Sequence, residues 1–205
     1  MNINYILASI VPMIFAITIH EAAHAYAANY LGDSTAKRMG RITLNPIPHI
    51  DPIGTLALPA LTLILGGFFF GWAKPVPVDP RFFKNPKADM MMVAAAGPLS
   101  NLLQAIVWAW IFIAPTQFDF LNSMATSGVF LNLSLMALNL LPIPPLDGSK
   151  ILDNFLSNKM SWQLSRAEPY GFFILIALSI LGVLSYLMSP LISIGLQIVK
   201  TLSPM

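Results

Sequence analysis

Four stretches of this chain, residues 1–19, 90–118, 120–146 and 169–199, contain no Asp, Glu, Lys or Arg. A helix needs only about 20 apolar residues to cross the hydrocarbon core of a bilayer. Lipid cannot satisfy backbone polar groups, so runs this long fold as helices that satisfy their own. Composition agrees, with 56% of the 205 residues hydrophobic and 10% charged, against roughly 25% charged in an average soluble domain. The chain therefore reads as an all-α polytopic membrane protein with about 4–6 transmembrane helices. No repeat, low-complexity tract or linker divides residues 1–205, which are expected to form a single membrane-embedded domain. The N-terminal apolar stretch lacks a basic n-region and a small-residue cleavage site, so it reads as a retained first helix.

The net charge of +2 is too small to suggest nucleic acid, and the basic residues lie in loops between apolar runs, where they report topology. The chain has no cysteine. That excludes thiol catalysis, disulfides and thiolate metal sites, and leaves the chemistry to oxygen and nitrogen groups.

Residues 5–31 form the first predicted helix, interrupted by His20, Glu21 and His24, which would be costly facing lipid and so must face protein or water. A loop with Lys37, Arg38 and Arg41 follows. The stretch RITLNPIPHIDPIG starts in alternation, which predicts a short strand at residues 40–46 before its prolines break it. Residues 52–73 carry no charge but contain Pro59, Gly66, Gly67 and Gly71, so either a full span or a re-entrant element fits. WAKPVPVDP reads as an extended edge segment, because Pro75 and Pro77 lack backbone donors. Residues 40–80 are thus expected to be a membrane-associated re-entrant or β-hairpin region. Helices at about residues 89–114 and 122–141 should form an antiparallel pair. After a polar stretch to about residue 169, the last uncharged run is broken by Ser189 and Pro190, as one long span or a hairpin of two.

HEAAH at residues 20–24 sets two imidazoles one helical turn apart. Side chains at i and i+4 share a face, which suits two nitrogen ligands of one Zn²⁺. Catalytic zinc keeps three protein ligands and an open position. It acidifies water to a pKa of about 7, and Glu21 is placed to be the general base. The third ligand must come from elsewhere. Asp147, in NLLPIPPLDG after three prolines that end a helix, is the first candidate, although Asp-Gly is also a common turn dipeptide. Glu168, beside Arg166 and Pro169, is the rival ligand, or a solvated loop charge. His49, the only other histidine, reads as a loop residue or one lining the site entrance, and Asn101 as a packing residue or a hydrogen-bonding partner near the site.

Topology bears on the third ligand. If residues 52–73 are re-entrant, the helix at 122–141 runs parallel to the first and delivers Asp147 to the face near His24. The same arrangement puts Lys37, Arg38, Arg41, Lys74, Arg81, Lys84, Lys87, Lys150, Lys159 and Arg166 on one side, which predicts a catalytic end toward the cytoplasm. Lys200 joins them only if the last apolar run is a hairpin.

HEAAH in a membrane helix, AGPLSN at residues 96–101 and NLLPIPPLDG at 139–148 together resemble the site-2 protease family over nearly the whole chain. GRITLNP and FGWAKPVPV resemble its compact bacterial and archaeal branch, without PDZ or CBS domains. The resemblance implies an intramembrane zinc metalloprotease of a prokaryotic cell membrane. One Zn²⁺ would be held by His20, His24 and Asp147, with Glu21 catalytic and Asn139 holding the unwound backbone of a transmembrane protein substrate. The rival from another class is a non-proteolytic zinc-binding membrane protein or transporter, since broken helices rich in proline and glycine also line substrate paths.

Overall fold

The computed structural model describes residues 3–57, 73–113 and 119–203. Its helices are α1 (Ile3–Tyr30), α2 (Thr35–Arg38), α3 (Pro86–Ile113), α4 (Asp119–Asn139), α5 (Asp147–Asp153), α6 (Asn158–Ile180) and α7 (Val183–Leu202). Four of them, α1, α3, α4 and α7, are long and apolar enough to cross a membrane. The shortest, α7 with 20 residues, is about 30 Å long at 1.5 Å per residue, the thickness of the hydrocarbon core. These observations agree with the expected all-α polytopic architecture.

Helix directions follow from pairs of touching residues. His24 and Ala16 of α1 reach Val93 and Asn101 of α3 respectively, so α1 and α3 are antiparallel. Asn101 bonds Asn132, while Gly128 faces Trp108, so α4 runs back against α3. Ser9 Oγ donates to Ser127 Oγ at 2.9 Å, and α4 lies parallel to α1. Helix α7 is antiparallel to α4, with Leu184 packed on Leu141 and Gly195 facing Leu133 and Met136. It ends where Trp110 Nε1 donates to Leu202 O.

Small residues let these backbones approach, as is usual where no hydrophobic force separates helix from lipid. Ala8, Ala16, Ala25 and Ala28 of α1 are fully buried. A Cβ on Gly128 would land on the Trp108 ring. That ring joins Ala105, Ala109, Ala125, Val129, Leu133, Met136 and Val199 in the central apolar cluster. The outward faces carry Ile10, Val11, Phe15, Leu103, Val107 and Phe130, which suit acyl chains.

The described part of residues 40–80 holds no strand, which corrects the strand expected at residues 40–46; the rest of the expected re-entrant or β-hairpin region falls on residues 58–72, outside the described residues. Side chains compete at residues 43–47 for the backbone: Thr43 Oγ1 accepts from Asn45 N, and Asn45 Oδ1 from Ile47 N, turning the chain into the 3-10 turn Ile47–His49. Residues 73–79 carry neither helix nor strand, and Pro75 and Pro77 remove alternate donors. Three of the remaining N–H groups go to separate acceptors: Lys74 to His49 O, Val76 to a Glu21 carboxylate oxygen and Asp79 to an Asp33 carboxylate oxygen.

Whether residues 52–73 enter the bilayer turns on residues 58–72, which lie outside the described residues. Their flanks nevertheless meet, since Lys74 N donates to His49 O at 3.0 Å. With α1 and α3 antiparallel, the chain makes no net crossing between them. The last uncharged run breaks at Gly182, with φ of +72°, rather than at Ser189–Pro190, which lies inside α7. It contributes one span. Helix α6 stays at the end where α3 begins, tied by Lys87 Nζ to Ser161 Oγ at 2.8 Å and by Gly171 against Pro144.

Candidate metal centre

His20 and His24 lie near the end of α1, and Asp147 opens α5 beyond the proline turn that follows α4. Gly148 allows this close return, because a Cβ there would strike the carbonyl oxygens of Leu140 and Leu141. Ser149 secures the turn, its N and Oγ both donating to Leu146 O. All three candidate ligands are buried, with exposures of 6–8%. His20 Nε2 and His24 Nε2 stand 3.0 Å apart, and Asp147 Oδ2 lies 3.2 Å from the first and 3.3 Å from the second. Ligand atoms of a tetrahedral zinc site, at about 2.0–2.1 Å from the ion, are separated by about 3.3 Å. The triangle has the dimensions of one face of that tetrahedron.

The hydrogen bonds behind the triangle fix its chemistry. His24 Nδ1 lies 2.7 Å from Val93 O, an atom that can only accept, so Nδ1 carries the proton. His20 Nδ1 lies 2.6 Å from Asn101 Oδ1, whose identity as oxygen follows because Asn101 Nδ2 donates to Ala16 O. In neutral imidazoles both Nε2 atoms are then bare lone pairs, and they converge on each other and on Asp147 Oδ2. That oxygen is buried and has no hydrogen-bond partner; the imidazole nitrogens stand near it at ion-pair distance without donor geometry. Three converging lone pairs repel one another unless a cation lies between them, so this donor set fits a divalent metal.

Gly97 of α3 closes the site from the side. A Cβ there would meet His24 Nε2 and Cε1 and His20 Cε1, so the AGPLSN segment does more than bring helices together. Glu21 is 9% exposed, and its Oε2 accepts from Val76 N at 2.9 Å, which ties it to the segment 73–79. Asn139 stands at the end of α4, half-buried, with Nδ2 donating to Leu135 O of its own helix. His49 is not in the ligand group: it is buried in the loop, its ring Nε2 donating to Thr43 O. Glu168 is not in the group either, and lines a separate cavity of about 340 Å³ with Lys150, Asp153 and Trp162. Among the described residues His20, His24 and Asp147 are the one cluster of potential ligands.

Sequence reasoning missed Asn132. This fully buried α4 residue accepts from Asn101 Nδ2 at 2.9 Å and donates to Gly128 O. Its signal was available, as a strongly polar side chain in the middle of an uncharged membrane run.

Peptidase family M50 matches residues 115–182, a stretch that contains Asn139 and Asp147 but not the HEAAH helix. Relatives extend the match to the rest of the chain. "Putative zinc metalloprotease YwhC" of Bacillus subtilis is 38% identical over 195 residues, covering 91% of this chain and 86% of that protein. "Putative zinc metalloprotease Rip2" of Mycolicibacterium smegmatis is 32% identical over 170 residues, covering 82% of this chain and 64% of that protein. "Putative zinc metalloprotease MJ0611" of Methanocaldococcus jannaschii matches a shorter stretch, 38% identical over 60 residues, 29% of this chain and 31% of that protein. No solved structure matches. Since the similarity to the Bacillus subtilis protein runs over most of both chains, the chain belongs to peptidase family M50, the site-2 proteases, which are membrane zinc metalloproteases.

Proposed function

We propose that this metalloprotease hydrolyses a peptide bond in or near a transmembrane segment of other membrane proteins. His20, His24 and Asp147 hold one Zn²⁺ per chain, and Glu21 is the general base. The observation that carries the reading is the convergence of three buried lone pairs from two distant parts of the chain, 3.0–3.3 Å apart. A bound zinc ion supplies Lewis acidity that polarises the scissile carbonyl and acidifies water. Glu21 takes the proton of the attacking water and passes it to the leaving amide nitrogen. With Oε2 engaged by Val76 N, Oε1 is the oxygen left to do so.

A helical substrate hides each carbonyl in a bond to the N–H four residues on, so it must unwind before attack. Asn139, at the end of α4, holds the unwound backbone. Residues 73–79, joined to Glu21 through Val76 N, offer an edge for β-augmentation. The protein lies in a prokaryotic cell membrane with its catalytic end toward the cytoplasm. Ten of its eleven Lys and Arg residues fall at that end of the bundle and Lys200 at the other, as the positive-inside rule requires.

Glu21→Ala is the direct test, on purified full-length chain with a tagged model transmembrane substrate. It should retain one zinc per chain and lose cleavage by about 10²–10⁴-fold, the usual contribution of a general base. Cleavage that survives the substitution would remove Glu21 as the general base, and a wild-type chain that binds zinc, cuts no membrane segment and carries a solute instead would replace this reading with the transporter.

A further inference from the structure

We infer that Asn132, which touches neither His20 nor the ligand triangle, is a positioning residue for the metal centre, acting through Asn101. This rests on the zinc reading above. The chain of bonds begins at the Gly128 carbonyl, which accepts from Asn132 Nδ2 at 2.9 Å and thereby points Asn132 Oδ1 at α3. Oδ1 accepts one proton of the Asn101 amide at 2.9 Å, and Ala16 O accepts the other at 3.1 Å. With both its donors committed, Asn101 can present only Oδ1 to His20, and accepts from Nδ1 at 2.6 Å. His20 is left as the Nδ1–H tautomer with a bare Nε2. Both asparagines are fully buried, so water cannot take over either bond.

Without Asn132, one of the two restraints on the Asn101 amide is gone. A rotated Asn101 would offer N–H to His20 Nδ1, favouring the Nε2–H tautomer, which has no lone pair for a metal. Partners of this kind, one bond behind a ligand, fix ring orientation and ligand basicity. Here the restraint extends one residue further and links α1, α3 and α4 at one level of the bundle.

The test compares Asn132→Leu, which removes the acceptor at similar size, with Asn132→Asp, which keeps an acceptor for Asn101 but cannot donate to Gly128 O. Zinc dissociation constants are measured on the full chain in detergent by chelator competition. Asn132→Leu should weaken zinc by about tenfold or more, while Asn132→Asp stays within about threefold of the unaltered chain. In the metal-free state, ¹⁵N spectra of the three histidines should show His20 protonated at Nδ1, with the Nε2–H form growing in Asn132→Leu. A purely structural role predicts equal losses for the two variants, or a lower melting temperature at unchanged zinc affinity, and either result overturns the proposal. Should Asn132→Leu fail to fold, the spectrum of the unaltered protein still decides, since His20 protonated at Nε2 refutes the relay. A chain that takes no zinc at all would overturn the metal reading, and the tautomer would then judge the relay alone.

Discussion

Two histidines at i and i+4 could be paired from the sequence because a helix puts them on one face, and the cost of polar groups in lipid said they must have a partner. The spacing could not say what stands against the rings. Gly97 stood out in the sequence only as part of AGPLSN, yet its missing Cβ makes room for both imidazoles. Gly97→Ala should therefore force the rings apart. The expected outcome is a loss of zinc affinity of at least tenfold, typical of disturbing a ligand's support, with overpacking costing about 1–3 kcal/mol of stability. Chelator competition and thermal melting measure the two effects separately. Asp147→Ala tests the carboxylate itself, and zinc content should fall below one per chain; unchanged content would mean that another group is the third ligand. Asn132 escaped notice for the opposite reason. Its polarity was visible, but its partner lies 31 residues away, and only the packed bundle brings them together.

The long helices were legible as elements because uncharged length alone defines them, whereas the connections were decided by a few side chains. Residues 40–46 alternate like a strand, but Thr43 and Asn45 capture the backbone donors first. Pro190 looked like a break, yet it is accommodated within α7, while Gly182 supplies the left-handed turn that ends α6. Asp33 shows how such a connection is held. It is fully buried just past α1, accepting from Thr35 N with one oxygen and from Asp79 N with the other. Asp33→Ala would orphan both donors at about 1–3 kcal/mol each. It should release residues 79–85 from α1, so that trypsin nicks after Arg81 and Lys84 faster than in the unaltered chain. Asp33→Asn keeps one acceptor and should fall between the two. Mass spectrometry of a timed digest gives the ranking. Equal rates for all three would show that the segment is held by other contacts.

At the scale of the molecule, the metal site depends on which ends of the helices share a side. Charge patterning foresaw the arrangement that brings Asp147 to His24, because it gathers the basic loops on one face. Lys200, left open as the end of one span or of a hairpin, ends a single span and stands at the far end beside Leu202, where Trp110 caps the bundle. The absence of cysteine makes this directly measurable, since one introduced thiol is the only one present. Lys37→Cys, Arg81→Cys and Lys200→Cys each sit at an exposed position away from the ligand triangle. In sealed vesicles, an impermeant thiol reagent should reach residues 37 and 81 from the same side and residue 200 from the opposite one. Were residues 52–73 a full crossing, 37 and 81 would label from opposite faces, and the antiparallel pairing of α1 with α3 could not hold. That pairing sets His24 against Val93 and Gly97, and α4 then returns parallel to α1 to carry Asp147 home. Same-side labelling of 37 and 81 is therefore a condition for the metal triangle to exist at all, and cell-orientation controls assign that side to the cytoplasm or exclude it.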